Sequence, residues 1–186
     1  MSTGYKIIEK EGAYFLTFQI VGWVDIFTRK VYRDIAIESL NFCQKSKGLE
    51  IFAYVIMSNH IHLFARSSKG DLSGTIRDFK SFTTKKFLEI INSKIESRSD
   101  WMKMVFKYHA KFKNKQTNQV WTHENHAEHI FSQKFIEQKI NYIHNNPVRS
   151  GIVVKAEDYF YSSARNYADT ESLIDVIIVD FLWKAI

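Results

Sequence analysis

Cysteine, proline and long apolar runs are scarce in this sequence. Its 186 residues include one cysteine, Cys43, and one proline, Pro147. A lone cysteine has no partner for an intrachain disulfide, which excludes the disulfide-stapled class of small secreted domains. The sequence therefore fits a reducing compartment, and we expect a cytoplasmic protein.

Hydrophobic segments long enough for a membrane are also missing. The most apolar run, residues 174–182, is interrupted by Asp175 and Asp180, and it is far shorter than the roughly 20 residues of a membrane-spanning helix. The chain opens with no signal-peptide pattern and contains no internal repeat. We expect no membrane partner and a single domain over residues 1–186, with a C-terminal extension from about residue 155.

Positive charge is plentiful and unevenly distributed. The net charge is +6, and residues 77–115 hold eleven lysines and arginines against four acidic residues. Concentrated positive charge is typical of proteins that bind a polyanion, most often nucleic acid. A solvated helix face followed by a basic loop would give the same count, so charge alone leaves both interpretations open.

The first half of the chain predicts one strand and a helix, followed by two further strands that form its most informative segment. Residues 12–21 are aromatic and β-branched, which favours a strand. Thr28 is a suitable N-cap for a helix that runs to about Lys47, and Gly48 is a suitable C-terminal stop. Residues 51–57 and 61–65 then form two apolar runs, and we read them as strands joined by the turn-forming pair Ser58-Asn59.

The second half predicts two more helices and a long irregular region. A long helix starts at residues 71–73 with its lysines outside and its apolar residues, Phe82 among them, inside. Residues 93–119 are polar, basic and dotted with aromatics, which predicts either a nucleic-acid-binding loop or a loop anchored to the core. A helix follows over residues 132–145 and ends at Pro147. Residues 174–181 predict a last strand. As an edge strand it would be open to pairing with a second copy of the chain in a homodimer.

The triplet His60, Ile61, His62 lies at the start of the predicted third strand. Because side chains alternate between the two faces of a strand, both histidines project from the same side while Ile61 points into the core. Two imidazoles on one face suit a metal ion, although a His-x-His pair taken alone is more often a packing or surface feature.

Three further histidines, His123, His126 and His129, are spaced by three along the chain. They would form a second metal site only if the segment were helical, and we favour polar surface at the start of the third helix. Tyr142 and Asn146 are four residues apart and therefore share one face of that helix. Taken alone, Tyr142 predicts a core tyrosine with its hydroxyl at the rim, and Asn146 a helix C-cap.

Three motifs in this order resemble a known family: residues 54–64 (YVIMSNHIHLF), 142–153 (YIHNNPVRSGIV) and 158–167 (DYFYSSARNY). They look like the REP-associated tyrosine transposases, a branch of the single-tyrosine HUH transposases, in which HUH stands for His, a hydrophobic residue and His. The likeness covers nearly the whole chain up to about Tyr167. It implies an α/β (α+β) fold of the ferredoxin-like or RRM-like kind, an antiparallel sheet with helices packed on one face.

The resemblance also implies a site. His60, His62 and Asn146 would bind a divalent metal ion, Mg²⁺ or Mn²⁺, and Tyr142 would be the nucleophile. The implied activity is cleavage and strand transfer of single-stranded or hairpin DNA through a covalent 5′-phosphotyrosine link. We further expect Lys80 and Arg149 to bind DNA phosphates, while the role of His144 is open. Two alternatives remain: a transposase-derived protein that binds hairpin DNA without cutting it, and an RNA-binding module with the same fold.

Overall fold

The structure is a computed structural model, and it describes residues 7–111 and 117–180. Its centre is a four-stranded antiparallel sheet in the order β2-β3-β1-β4. The strands are β1 (Ala13–Gln19), β2 (Leu49–Ile56), β3 (His60–Ser67) and β4 (Glu128–Ile130). The helices are α1 (Lys30–Lys47), α2 (Leu72–Ile91), α3 (Ser99–Ala110), α4 (Gln133–Arg149) and the short α5 (Ala164–Tyr167).

The strand order and the βαββαβ sequence of elements are those of a ferredoxin-like fold, so the predicted fold class is confirmed. The helices α1 and α2 pack on one face, where Leu16 and Phe18 of β1 and Ile61 and Leu63 of β3 form the main core. In addition, Ile140 and Ile143 of α4 pack on the opposite face against a smaller apolar cluster. The sheet therefore has a helix-covered core on one side and the single helix α4 on the other.

The first two helices lie where the sequence predicts them, with two local differences. Gly48 ends α1 in the left-handed conformation, as expected. The predicted N-cap Thr28 is wrong, because Thr28 lies in a 3-10 turn, its hydroxyl bonds back to the Asp25 carbonyl, and Arg29 precedes the first helical residue. Phe82 is half exposed rather than internal, and Phe87 is buried instead. The buried stripe of α2 follows strict helical spacing, and Phe82 falls one residue outside it.

The long loop predicted over residues 93–119 is wrong in its middle, where α3 forms. Its Met102 and Phe106 are fully buried, and this apolar contact outweighs the polar composition of the segment. The turn before α3 is anchored by the buried Glu96 carboxylate, which accepts hydrogen bonds from the Tyr32 hydroxyl and the Arg98 backbone N–H, both at 2.9 Å. Residues 112–116, with Phe112, Lys113 and Lys115, lie outside the described part.

The helix α4 extends past Pro147, so the prediction that proline ends it is wrong. Pro147 lies in the last turn, where the backbone angle imposed by the ring suits a helix and only one hydrogen bond, to the Ile143 carbonyl, is lost. Gly151, in the left-handed conformation, follows directly after Ser150 caps the helix. The alternative role of Asn146 as the C-cap is excluded, because Asn146 lies inside the helix and Ser150 is the C-cap.

The chain after α5 forms no strand in its described part. Residues 174–180 run beside β2, where the Ile177 N–H donates to the Ile51 carbonyl at 2.8 Å. The predicted strand over residues 174–181 is thus wrong up to Asp180, and Phe181 lies outside the described residues. The fourth strand is β4 instead, a segment too short and polar to be recognised from the sequence.

Within residues 7–111 and 117–180, none of the helices is both long and apolar enough to cross a membrane.

Candidate active site

The pairing of β1 with β3 places the two motif histidines on the α4 side of the sheet. His62 lies opposite Thr17 and His60 opposite Gln19, while Ile61 between them is fully buried in the main core. The two imidazole rings are adjacent, with centroids 4.6 Å apart. The alternation that the sequence predicts is therefore present, and it brings the rings together on one face.

Each of these imidazoles has one nitrogen already engaged. Nδ1 of His60 lies 2.7 Å from Oδ1 of Asn59, and Nδ1 of His62 lies 2.9 Å from the Thr17 hydroxyl oxygen. The Asn59 oxygen can only accept, so Nδ1 of His60 carries the proton and Nε2 keeps the lone pair, which is the arrangement found in metal-binding histidines. The Thr17 hydroxyl can donate or accept, and His62 has the same tautomer when the hydroxyl accepts.

The electrostatic surroundings keep both rings neutral. Burial lowers the pKa of His60 below its ordinary value. Burial lowers the pKa of His62 to about 3, with smaller contributions from the charges of His60, Lys139 and Arg149. A metal ion requires unprotonated imidazole, so at neutral pH the pair is in the form that a metal can bind.

The helix α4 brings Tyr142 to the same place. Its ring centroid lies 5.2 Å from that of His62 and 5.8 Å from that of Phe15, both edge to face. The Arg149 guanidinium carbon lies 4.4 Å from the ring centroid of Tyr142. Tyr142 is 37% exposed, so its ring is fixed on one side by aromatic contacts while the residue remains open to solvent.

Asn146 follows one helical turn after Tyr142 and is 9% exposed. Its side-chain amide has no hydrogen bond to any other residue of the described part of the chain. In the described part of the chain, the fully buried side-chain polar atoms without a hydrogen bond belong to Arg33, Tyr54 and Asn166, so the Asn146 amide still reaches solvent. The amide is therefore available to bind an ion or a ligand. It lies one helical turn from Tyr142, on the same face of α4.

Two residues that sequence reasoning missed support the histidine pair. Thr17 fixes the His62 ring, and Asn59 fixes the His60 ring. The sequence indicates Asn59 only as a turn-forming residue. Thr17 carries a recognisable signal, because it is a hydroxyl residue inside an aromatic strand and shares the face that does not hold Leu16 and Phe18. Its pairing with His62, however, depends on the strand register.

Lys80 lies on the other side of the sheet, against Phe18 and Trp121. Its ammonium group donates to the Thr122 carbonyl at 2.9 Å and to the Asn125 side chain, and burial lowers its pKa to about 8. A surface cleft of about 480 Å³ adjoins it. The phosphate contact expected of Lys80 stays a prediction, and its position separates it from Tyr142 and Arg149.

The remaining histidines do not form a second metal centre. The segment of His123, His126 and His129 is not helical: His123 lies in a bend, His126 has a φ of 41° and His129 lies in β4, so the helical start expected there is wrong. Among the residues that the structure describes, no group of three or more His, Cys, Asp or Glu side chains could hold a metal ion. His144 is buried, with Nε2 2.9 Å from the Ser163 hydroxyl, and it joins α4 to the C-terminal segment.

Comparison with known proteins supports the fold. No family model matches the sequence. No curated protein matches it either. Among solved structures, the chain is similar to a REP-associated tyrosine transposase bound to a REP hairpin, with a TM-score of 0.59 and 19% sequence identity over 98% of this chain and 96% of that one. At this identity the likeness establishes a common fold over nearly the whole length of both chains.

Proposed function

We propose that this protein is a metal-dependent endonuclease and strand transferase, a transposase that acts on single-stranded or hairpin DNA through Tyr142. The observation that carries the proposal is the approach of Tyr142 to the histidine pair within one chain, with 5.2 Å between the ring centroids of Tyr142 and His62. The two motifs are some eighty residues apart in the sequence, and folding alone brings them together. A single chain thus carries the proposed nucleophile beside the proposed metal site.

The donor set fits a divalent ion. Two neutral imidazoles with free Nε2 atoms and the unpartnered amide of Asn146 would hold Mg²⁺ or Mn²⁺ and leave positions open for a phosphate oxygen. When bound, such an ion offsets the phosphodiester charge that repels nucleophiles. Thr17 and Asn59 would hold the imidazoles in orientation, a role that commonly affects metal affinity.

In the proposed reaction the phenol oxygen of Tyr142 forms a bond to phosphorus. The bond between phosphorus and the 3′ oxygen of the preceding nucleotide breaks, the phenol proton passes to solvent, and the departing oxygen takes up a proton to become a free 3′ hydroxyl. The 5′ phosphate stays on Tyr142. A later attack by a DNA hydroxyl reverses these steps and joins strands, which hydrolysis by water would prevent.

Charge and fold support DNA as the substrate. The positive charge of residues 77–115 suits a polyanion, and the structurally similar transposase is bound to a REP hairpin. Arg149 is exposed and lies over the ring of Tyr142, where its guanidinium would bind a phosphate next to the scissile one.

The test is formation of a covalent adduct. End-labelled hairpin DNA from repeats that flank the gene is incubated with the protein and Mn²⁺, with or without EDTA, and resolved on a denaturing gel. We expect a metal-dependent shifted band that disappears in Tyr142→Phe, which removes the hydroxyl and keeps the ring. Tyr108→Phe is the matched control, because Tyr108 is another exposed tyrosine and the substitution removes only its hydroxyl while keeping the ring, so the band should remain.

Two results would contradict the proposal. Tight hairpin binding with no adduct under any metal would instead support the transposase-derived protein that binds DNA without cutting it. Tighter binding of RNA than of DNA of the same sequence would support the RNA-binding module.

A further inference from the structure

The turn after β1 exposes a tryptophan in an unfavourable backbone conformation. Trp23 has a φ of 55° and is 67% exposed. A bulky residue at positive φ is a genuine outlier, and such strain persists only where the surroundings impose it. An exposed indole gains little from packing, so the fold maintains an unfavourable conformation to display a large aromatic ring to solvent.

The neighbours of this turn explain how the conformation is imposed. Gly22, at φ 62°, lies so close to α3 that a Cβ added to it would be 2.7 Å from the Val105 methyl group. On the other side, the Asn59 side-chain amide donates to the Trp23 carbonyl at 3.4 Å. The turn is therefore held between α3 and the β2–β3 connection.

Asn59 connects Trp23 directly to the candidate active site. While its amide nitrogen bonds to Trp23, its Oδ1 lies 2.7 Å from Nδ1 of His60. Its backbone carbonyl also accepts from the Ile20 N–H at 2.9 Å, which fixes Asn59 against the end of β1. One side chain thus couples the position of the exposed tryptophan to that of the first histidine.

On its far side the turn adjoins a basic and aromatic surface. The outward residues of α3 follow helical spacing, and they are Trp101, Met104, Lys107, Tyr108 and Lys111. Lysines among exposed rings suit a single strand, because the ammonium groups bind phosphates and the rings stack on bases. The α3 surface, the Trp23 turn and the histidine pair are consecutive neighbours.

We propose that Trp23 is a DNA-binding residue that stacks on an unpaired base beside the histidine pair, at the start of a single-strand path that continues over the outer face of α3. This inference rests on the proposed function and adds to it the element that would hold the unpaired strand. A single strand is favoured over a duplex as the ligand. In a duplex the face of each base is covered by the neighbouring bases and cannot stack on the indole.

The experiment measures binding without chemistry. In EDTA and in the Tyr142→Phe background, fluorescence anisotropy compares a labelled hairpin with the same hairpin carrying an unpaired extension of several nucleotides. We expect the extension to strengthen binding, and Trp23→Gly to lower affinity for the extended hairpin by roughly tenfold, as for the loss of one stacked base. The blunt hairpin should bind both proteins equally, and Trp23→Phe should keep most of the gain.

Folding is checked in the same variants. Glycine tolerates positive φ, and the Trp23 carbonyl that Asn59 contacts remains, so Trp23→Gly should unfold at the same or a higher temperature. Phe42→Ala is the matched control, because Phe42 is a similarly exposed aromatic at the far end of α1, and it should bind both hairpins as the parent does.

Two binding results would overturn the role of Trp23: an equal loss of affinity for both hairpins in Trp23→Gly, or no gain in affinity from the unpaired extension. An altered sedimentation coefficient of Trp23→Gly with unchanged DNA binding would also overturn it, because that result points to a contact between copies of the chain. None of these results bears on the covalent adduct, which is measured separately, so failure of this proposal is distinguishable from failure of the proposed function.

Discussion

The two faces of the sheet use the same strands for different purposes. Toward α1 and α2, β1 and β3 present mainly apolar side chains such as Leu16, Phe18 and Leu63, which are fully or almost fully buried. Toward α4, the alternate positions present Thr17, His62 and, at the start of β3, His60. One face is closed by packing, while the other combines a small apolar cluster with polar groups.

The difference shows where this fold gains stability and where it leaves bonding capacity unused. On the main-core side, the charged groups of Glu96 and Lys80 have their partners within the protein. On the α4 side, Asn146 has none within the described chain, and each histidine of the pair keeps Nε2 uncommitted. Stability therefore depends mainly on one face and the proposed chemistry on the other.

Substitutions of two adjacent residues of β1, Phe18 and Thr17, give the strongest test of this difference between the two faces. Phe18→Ala removes a ring that contacts Phe79 and Trp121, and it should lower the free energy of unfolding by about 3–5 kcal/mol in urea denaturation. Thr17→Val, on the opposite face, should cost less than about 1.5 kcal/mol but weaken Mn²⁺ binding by roughly 10- to 100-fold in calorimetric titration. Similar losses of stability in both variants would contradict the division between faces.

The buried imidazoles of the α4 side predict acid sensitivity. Burial lowers the pKa of His144 to about 4, so between the ordinary value near 6.5 and pH 4 the unfolded chain binds more protons than the folded one. Stability should fall as the pH drops through that window, and this one group accounts for about 3 kcal/mol. Urea denaturation in EDTA should show a smaller acid loss in His144→Gln, and His62 should account for part of what remains.

Lys80 and Arg149, the two residues expected to bind phosphates, lie on opposite sides of the sheet, and their substitutions should have different effects on stability and on DNA binding. Lys80→Met removes two hydrogen bonds that attach residues 122–125 to α2, and it should cost about 1–2 kcal/mol of stability. Arg149→Met should change stability by less than about 0.5 kcal/mol and reduce the salt dependence of DNA binding by about one charge. A reduced salt dependence in Lys80→Met would confirm the phosphate contact predicted for that residue.

We expect the smallest change in the free energy of unfolding for substitution of Asn146. Asn146→Ala removes an amide that reaches solvent and has no hydrogen bond within the described chain, so in EDTA the free energy of unfolding should change by less than about 0.5 kcal/mol. The same substitution should weaken Mn²⁺ binding measurably, since it deletes a proposed ligand. A large loss of stability without any change in metal binding would show that the amide has a structural partner instead of an ion.

Much of the fold could be predicted from local pattern. The alternation of β1 and β3, the Ser58-Asn59 turn and the Asp71 cap of α2, whose carboxylate accepts from the Gly74 N–H, depend on short-range chemistry. The helix α3 was missed because its helical face is defined by only a few apolar residues within a basic segment. The extension of α4 past Pro147 was missed because the cost of a proline depends on its distance from the helix end.

The sequence by itself determined which side chains share a face, because strand and helix periods are properties of the local backbone. It thereby paired His60 with His62 and Tyr142 with Asn146. Only the tertiary structure decided that these pairs meet, that Thr17 and Asn59 orient the imidazoles, and that Lys80 is occupied on the other side of the sheet. Those relations depend on strand register and on the packing of α4, and contacts between residues distant in sequence are set by the burial of the whole core and not by any local pattern.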